Sequence, residues 1–213
     1  MRDQKPTLHI TDALETVVAD LCGRLPAFAH IDPRRLLLCA ARARRDGAGG
    51  TYARIIPLRF PDGTPFRTHN GQRYALPQIP TEHGDVLYLI YVYLPRFFAQ
   101  PLERRVLTLI HELYHIAPAF DGTIRKCGAR AHGGSRASFN ARLEPLVEAY
   151  LAGDNIPARD ILAADFADLA RRYTLIGRAL AVPKAVRLPS EPGTAELHSA
   201  ATGPTRRARL PMP

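Results

Sequence analysis

The segment DVLYLIYVYLPRF (85–97) constrains the fold of this chain more than any other stretch. Its apolar side chains occur on both alternating faces: Leu87, Leu89 and Tyr91 on one face, and Val86, Tyr88 and Ile90 on the other. A strand that is apolar on both faces is stable where other layers cover both sides of its sheet. We therefore expect a central, covered strand here, with other strands beside it and helices against it.

Segments on both sides of this strand supply its neighbours. Three further extended segments are bounded by turn signals; they are RLLLCAARAR (35–44), TYARIIPLRF (51–60) and RYALPQI (73–79). One helical pattern runs from Thr11 to just before Pro26, and another from Pro101 to just before Pro118. The pattern predicts an α+β fold in which a small mixed or antiparallel sheet packs on these two helices.

The C-terminal part of the chain is predicted to be helical and then disordered. Residues 138–151 are predicted to form a helix that starts or kinks at Pro145, and ILAADFADLARRY (161–173) to form another. The remaining sequence is rich in Pro, Ala, Ser and Thr and has almost no large apolar residues, which is typical of disorder. We expect one domain over residues 1–181 and a disordered, basic-ended tail over residues 182–213.

Charge and cysteine content narrow the class of protein. The formal net charge is +9 and the pI is near 9.9, which favours acidic partners such as nucleic acid. The three cysteines lack CxxC spacing, which argues against a disulfide framework and favours a reducing compartment. The sequence has no apolar leader segment and no run of about 18 apolar residues. We expect a cytoplasmic protein without a membrane partner, and the sequence leaves the oligomeric state open.

The sequence HELYH (111–115) lies near the end of the second predicted helix. Helical residues four apart are separated by about 40° in azimuth and about 6 Å along the axis, so His111 and His115 can converge on one ion. Glu112 lies about 100° from His111, which suits a carboxylate that holds a metal-bound water. This pattern predicts a catalytic zinc centre with Glu112 as the general acid/base residue.

Two observations favour a metal site over two ordinary histidines. At the His and Glu frequencies of this chain, a chance HExxH is expected about 0.01 times. The apolar residues of the helix lie on the side opposite His111, so the histidines do not belong to the core-facing stripe; these residues are Leu102, Val106, Leu109, Leu113 and Ile116. The alternative that remains is a solvated polar face, shared with Arg104 and Thr108.

A catalytic zinc ion keeps three protein ligands, and several residues beyond Pro118 compete to be the third. Asp121 has the spacing of the third ligand in HExxHxxGxxH enzymes, but Pro118 stands where those enzymes have glycine. Glu144 or Glu148 could present a carboxylate from a following helix. His132 lies in GARAHGGS, where two glycines would let the backbone approach a metal closely.

Five segments, in this order, resemble the family of phage metallopeptidases within the HExxH zincin class. They are HIDPRRLLL (30–38), ARIIPLRF (53–60), DVLYLIYVYLPRF (85–97), HELYHIAPAFDG (111–122) and AHGGS (131–135), so the resemblance covers roughly residues 29–151. It implies a zincin-like fold in which His111, His115 and His132 bind zinc and Glu112 is the acid/base residue. Relatives often have a second histidine two residues after the one matching His132, and here that position is Gly134.

Two functional hypotheses follow from these patterns. The first is a zinc-dependent metallopeptidase that hydrolyses a protein or peptide substrate, aligned by backbone pairing with a strand near 85–97. The second is a nucleic-acid-associated protein with a structural metal, in which Arg206, Arg207 and Arg209 of the tail contact phosphate.

Overall fold

The computed structural model describes residues 5–43, 50–126, 135–154, 157–189 and 206–209. Its helices are α1 (Ile10–Arg24), α2 (Leu102–Tyr114), α3 (Arg136–Ala141), α4 (Glu144–Leu151), α5 (Pro157–Leu162) and α6 (Phe166–Arg172). Its strands are β1 (Thr7–His9), β2 (Leu36–Arg42), β3 (Ala53–Pro57), β4 (Phe66–His69), β5 (Gln72–Ala75), β6 (Tyr88–Leu94), β7 (Thr174–Ala179), β8 (Val186–Arg187) and β9 (Arg206–Arg209). The fold is mixed α+β, as predicted, but its strands form several small sheets where one was expected. Within the described ranges, no helix has the length and apolar character needed to cross a membrane.

Strand β6 is the middle strand of a mixed three-stranded sheet with the order β2-β6-β3. It pairs in parallel with β2 along its whole length and antiparallel with β3. Every side chain of β6 is buried except that of Tyr93, which is partly exposed. The prediction of a central, covered strand is confirmed. Because both edges of β6 are paired, a substrate cannot pair with β6 itself, and the prediction that a strand of this sheet near 85–97 aligns a substrate is left to its neighbours.

The two faces of this sheet are covered by different layers. On one face, Tyr88, Ile90 and Val92 of β6 join the main core together with apolar residues of α1 and α2. On the other face, Leu89 and Tyr91 pack in a smaller buried cluster. Full burial of one large apolar side chain contributes about 1.5–3 kcal/mol, so both faces of β6 stabilise the sheet. The larger layer fixes α2 against the sheet.

Two predicted helices are each divided in the structure. The segment 138–151 contains the end of α3 and the whole of α4, which has Pro145 in its first turn, as the sequence predicts. The segment 161–173 is divided between α5 and α6, because the Asp165 side chain caps a new helix by accepting hydrogen bonds from the N–H groups of Ala167 and Asp168. Strand β7 follows and was not predicted.

Part of the predicted tail forms strands. β8 pairs with β5, and the backbone of β9 pairs antiparallel with β7, which also pairs in parallel with β1. The prediction of disorder therefore does not hold at these two strands. Strand pairing satisfies backbone N–H and C=O groups and needs few large apolar side chains, so composition alone did not indicate it. Residues 190–205 and 210–213 lie outside the described residues, and the domain boundary at 181 stays a prediction.

Candidate metal centre

Helix α2 has two different sides, and both are buried. Leu109 and Leu113 face the core and are fully buried, as the helical pattern predicts. On the other side, His111, Glu112 and His115 have exposed fractions of 5%, 6% and 7%. The alternative of a solvated polar face is therefore wrong for these three residues. Sequence periodicity separated the two sides correctly but did not indicate that a second helix covers the polar one.

The two imidazole rings of the HELYH sequence converge. The Nε2 atoms of His111 and His115 lie 3.1 Å apart, and the ring centroids lie 4.8 Å apart. The Nδ1 atom of His111 lies 2.7 Å from Oδ1 of Asn140. An amide oxygen can only accept a hydrogen bond, so Nδ1 of His111 carries the hydrogen and Nε2 keeps its lone pair. Asn140 therefore holds His111 in the tautomer that can bind a metal through Nε2.

Helix α3 supplies the aromatic contact that orients both imidazoles. The Phe139 ring stacks on His115, with centroids 5.4 Å apart and an interplanar angle of 10°. It meets His111 edge to face at 4.9 Å and 68°. Sequence analysis missed both Phe139 and Asn140. Both lie in the helix predicted over 138–151, but its start at Arg136 was missed; the signal for that start is the N-terminal cap, where the Ser135 side chain accepts a hydrogen bond from the Ser138 N–H.

The Glu112 side chain extends from α2 to the outer edge of β3, which is the edge that does not pair with β6. Its Oε2 atom accepts a 2.8 Å hydrogen bond from the N–H of Ile55. Burial raises the pKa of Glu112 to about 7, while the Ile55 N–H, Arg136 and Arg54 act in the opposite direction. A carboxyl group that titrates near neutrality can both accept and release a proton at physiological pH.

Two clefts meet at His111 and Glu112. One has a volume of about 410 Å³ and is also lined by Tyr52 and Asn140. The other has a volume of about 350 Å³, runs beside β3 and is also lined by His115. His111 and Glu112 are thus accessible to a ligand from two directions and His115 from one, although each of the three side chains is largely buried.

The described candidates for a third ligand do not reach the histidine pair. Asp121 Oδ1 accepts hydrogen bonds from the N–H and hydroxyl of Thr123, at 3.0 and 2.7 Å. Glu144 forms a 3.4 Å ion pair with Arg104, and Glu148 is exposed on the same helix. Neither Asp121 nor these two glutamates line the clefts at His111.

The remaining candidate, His132, lies outside the described residues. Across the part of the chain that the structure describes, no three His, Cys, Asp or Glu side chains come together as a metal site. Sequence reasoning therefore identified two histidines that the fold brings together, and metal binding by them and by His132 stays a prediction.

The geometry of the histidine pair fits zinc. Two nitrogen ligands bound at about 2.0–2.1 Å in a tetrahedral site lie about 3.3 Å apart. The 3.1 Å separation of the Nε2 atoms of His111 and His115 is close to this value. Comparison of the chain with family models, curated proteins and solved structures gives no significant match. The residues of the site are therefore the basis for assigning a function.

Proposed function

We propose that this chain is a zinc-dependent metallopeptidase with a zincin-like arrangement of helix and sheet. The observation that carries this proposal is the 3.1 Å approach of the Nε2 atoms of His111 and His115, beside the buried carboxyl group of Glu112. A sheet packed against the helix that bears these residues supports the zincin-like part of the proposal.

In this proposal His111 and His115 bind zinc through Nε2, and His132 is the third ligand. His132 is three residues before Ser135, which caps the helix that contacts both imidazoles. Three residues of extended chain span at most about 11 Å, so the position of His132 in the sequence is compatible with this role. The loss of Asp121, Glu144 and Glu148 as candidates favours the same residue.

The protein's own groups would perform the proton transfers. Zinc, when bound, lowers the pKa of a coordinated water to about 7 and polarises the substrate carbonyl. Glu112 would take a proton from the attacking water and deliver it to the leaving amine, for which a pKa of about 7 is well suited. Asn140 would hold His111 in the metal-binding tautomer throughout, since its side-chain oxygen accepts the Nδ1 hydrogen.

A substrate would be aligned by β3, which is an edge strand among the described residues. The Ile55 N–H points away from β6 and towards Glu112, whereas the Tyr52 carbonyl accepts a hydrogen bond from Tyr93 of β6. Backbone groups alternate in direction along a strand, so those of Ala53 point to the same outer side as those of Ile55. An extended peptide could therefore pair with this edge next to Glu112.

The proposal is tested by separating metal binding from cleavage. Glu112→Gln keeps the shape of the site but removes the proton acceptor, so we expect metal content to persist while cleavage of a denatured protein falls by about 100-fold to 10,000-fold. Glu148→Gln, the same change at an exposed position, is the matched control and should cleave normally. Normal cleavage by the Glu112→Gln variant would contradict the mechanism.

The nucleic-acid alternative stays a prediction with its own test. If the tail contacts phosphate, the protein should shift a DNA fragment in a gel at low salt, and this shift should weaken as salt rises. Replacement of Arg206, Arg207 and Arg209 by alanine should remove the shift. A protein that shifts no DNA at low salt would contradict this alternative without affecting the metallopeptidase proposal.

A further inference from the structure

The cleft beside β3 has an unbalanced positive charge. Arg54 and Arg136 both line it, together with His111, Glu112 and His115. Glu112 is the only carboxylate among the described residues that line this cleft. The Glu112 carboxyl group is buried and already accepts a hydrogen bond from the Ile55 N–H. An entering ligand therefore meets the exposed guanidinium groups of Arg54 and Arg136 first.

These two arginines differ from others on the surface. Arg59 forms a 2.9 Å ion pair with Asp85, and Arg104 forms one of 3.4 Å with Glu144. Within the described part of the chain, neither Arg54 nor Arg136 forms an ion pair or a side-chain hydrogen bond. Positive charges that form no ion pair and line a concave surface attract anionic ligands, because the low-dielectric walls of a cleft concentrate their field.

The adjacent strand edge limits which anion can use this charge. The backbone groups of Ala53 on the outer edge of β3 can pair with an extended polypeptide, as argued above for the substrate. In such a pairing, the substrate residue directly opposite Arg54 has its side chain on the same face as Arg54. A nucleic-acid strand offers phosphates but has no amide groups to continue the sheet, so the edge favours a peptide.

We infer that the cleft binds an acidic polypeptide segment, which adds to the outer edge of β3 with Asp or Glu side chains that meet Arg54 on one face of the sheet and Arg136 on the face covered by α2. This inference rests on the proposed peptidase function and specifies its substrate class. In this inference, the cleft recognises the negative charge of a carboxylate on a substrate side chain. The free carboxylate at the end of a peptide has the same chemistry, so the two sources must be separated by experiment.

Matched peptides test this preference on the full-length, zinc-loaded protein. In each series one position of an otherwise constant peptide carries Glu, Gln or Lys, and the varied position differs from series to series. Each peptide is made both with an amidated and with a free C-terminus. We expect kcat/KM at the best position to be up to about fivefold higher for Glu than for Gln, and lower for Lys than for Gln, with either terminus. A preference seen only with a free C-terminus would overturn the side-chain assignment.

Charge reversal tests which residues are responsible. We expect Arg54→Glu and Arg136→Glu each to lower the ratio of Glu to Lys cleavage, and together to invert it. Arg67→Glu is the matched control, since it makes the same change in net charge on the exposed side of β4. Equal cleavage of Glu and Gln peptides by the wild type, or an equal loss of preference in the Arg67→Glu control, would overturn the inference while leaving the peptidase proposal intact.

Binding separates this inference from the proposed function. Fluorescence anisotropy with the Glu112→Gln protein reports peptide affinity without cleavage, with a single-stranded DNA oligonucleotide as a second ligand. Tighter binding of Glu than Gln peptides, lost in Arg54→Glu, would support the acidic-peptide site even if the wild type cleaves nothing. Binding of DNA that depends on Arg54 and Arg136, with no binding of the Glu peptides, would overturn it.

Discussion

Helix α2 carries two buried ionisable groups, Arg105 and Glu112, which differ in how many hydrogen bonds they form with the backbone around them. The Arg105 guanidinium donates hydrogen bonds to four backbone carbonyls; these belong to Phe98, Gln100, Leu162 and Ala164. The Glu112 carboxylate accepts one backbone hydrogen bond, from the Ile55 N–H. Arg105 is thus surrounded by acceptors from two segments, whereas Glu112 faces the two clefts and the histidine pair.

This difference in hydrogen bonding indicates a structural role for Arg105 and a reactive carboxyl group at Glu112. Burial disfavours a charged group unless hydrogen bonds or opposite charges compensate for the lost water. Carbonyls from two segments accept hydrogen bonds from Arg105 and tie α2 to the turn before it and to the end of α5. Glu112 has little compensation, so burial raises its pKa to about 7 and makes its proton available. Three predictions test this contrast.

The largest effect on stability is expected at Arg105. Arg105→Ala leaves four carbonyl oxygens without their donor, those of Phe98 and Leu162 in buried hydrogen bonds and the other two in partly buried ones. It also removes the contact between the guanidinium and the Phe98 ring, at 5.1 Å from its centroid. Unsatisfied buried groups cost about 1–3 kcal/mol each, so we expect a loss of roughly 4 kcal/mol or more in the free energy of unfolding. Urea denaturation measures it, and exposed Arg104→Ala, expected to lose less than about 1 kcal/mol, is the control.

A smaller loss at Arg105 would mean that water or other donors replace the guanidinium. In that case Arg105 and Glu112 would not differ in the way proposed, because the carbonyls around Arg105 would not depend on its charge. Folded Arg105→Ala protein should still bind metal, since none of the atoms at the histidine pair is changed.

The second prediction concerns pH and uses metal-free protein. The pKa of Glu112 is raised from 4.5 when unfolded to about 7 when folded, so its stabilising contribution is present below pH 4.5 and is lost as pH rises through 7. A shift of this size corresponds to roughly 3 kcal/mol. We expect the stability difference between Glu112→Gln and the wild type to change by about that amount between pH 4.5 and pH 8.5, in favour of the variant. A difference that is independent of pH would contradict the account of Glu112.

The smallest effect is expected at Asn140, which acts on the metal only through His111. Asn140→Ala removes the acceptor that fixes the His111 tautomer, so we expect zinc affinity to fall by about 10-fold to 100-fold while the fold is retained. Competition with a chromophoric chelator measures the affinity. Asn140→Asp keeps an acceptor oxygen and should bind zinc at least as tightly as the wild type; weak binding by both variants would instead indicate a packing role.

Local sequence patterns predicted the parts of the site that lie within one element. The spacing of His111 and His115, the covered strand β6 and the apolar side of α2 all follow from the periodicity of helix and strand. The contacts of Phe139 and Asn140 with the histidines, and of Ile55 with Glu112, join residues distant in sequence. No local pattern encodes such pairs, because tertiary packing decides which helix or strand edge covers a given surface.

The same reason explains the differences in the sheets. The strands β1, β8 and β9 span only two to four residues, which is too few to show a clear alternating pattern. The choice of β3 as the open edge likewise depends on strand order, which the sequence pattern leaves undetermined.

The central claim is that His111 and His115 bind one divalent cation. Elemental analysis of purified wild type, Glu112→Gln, His111→Ala, His115→Ala and His132→Ala tests it directly. We predict about one zinc ion per chain in the wild type and in Glu112→Gln, and its loss in each histidine variant that remains folded by circular dichroism. Wild-type protein that holds no metal after incubation with zinc, or full zinc content in His111→Ala or His115→Ala, would contradict the claim.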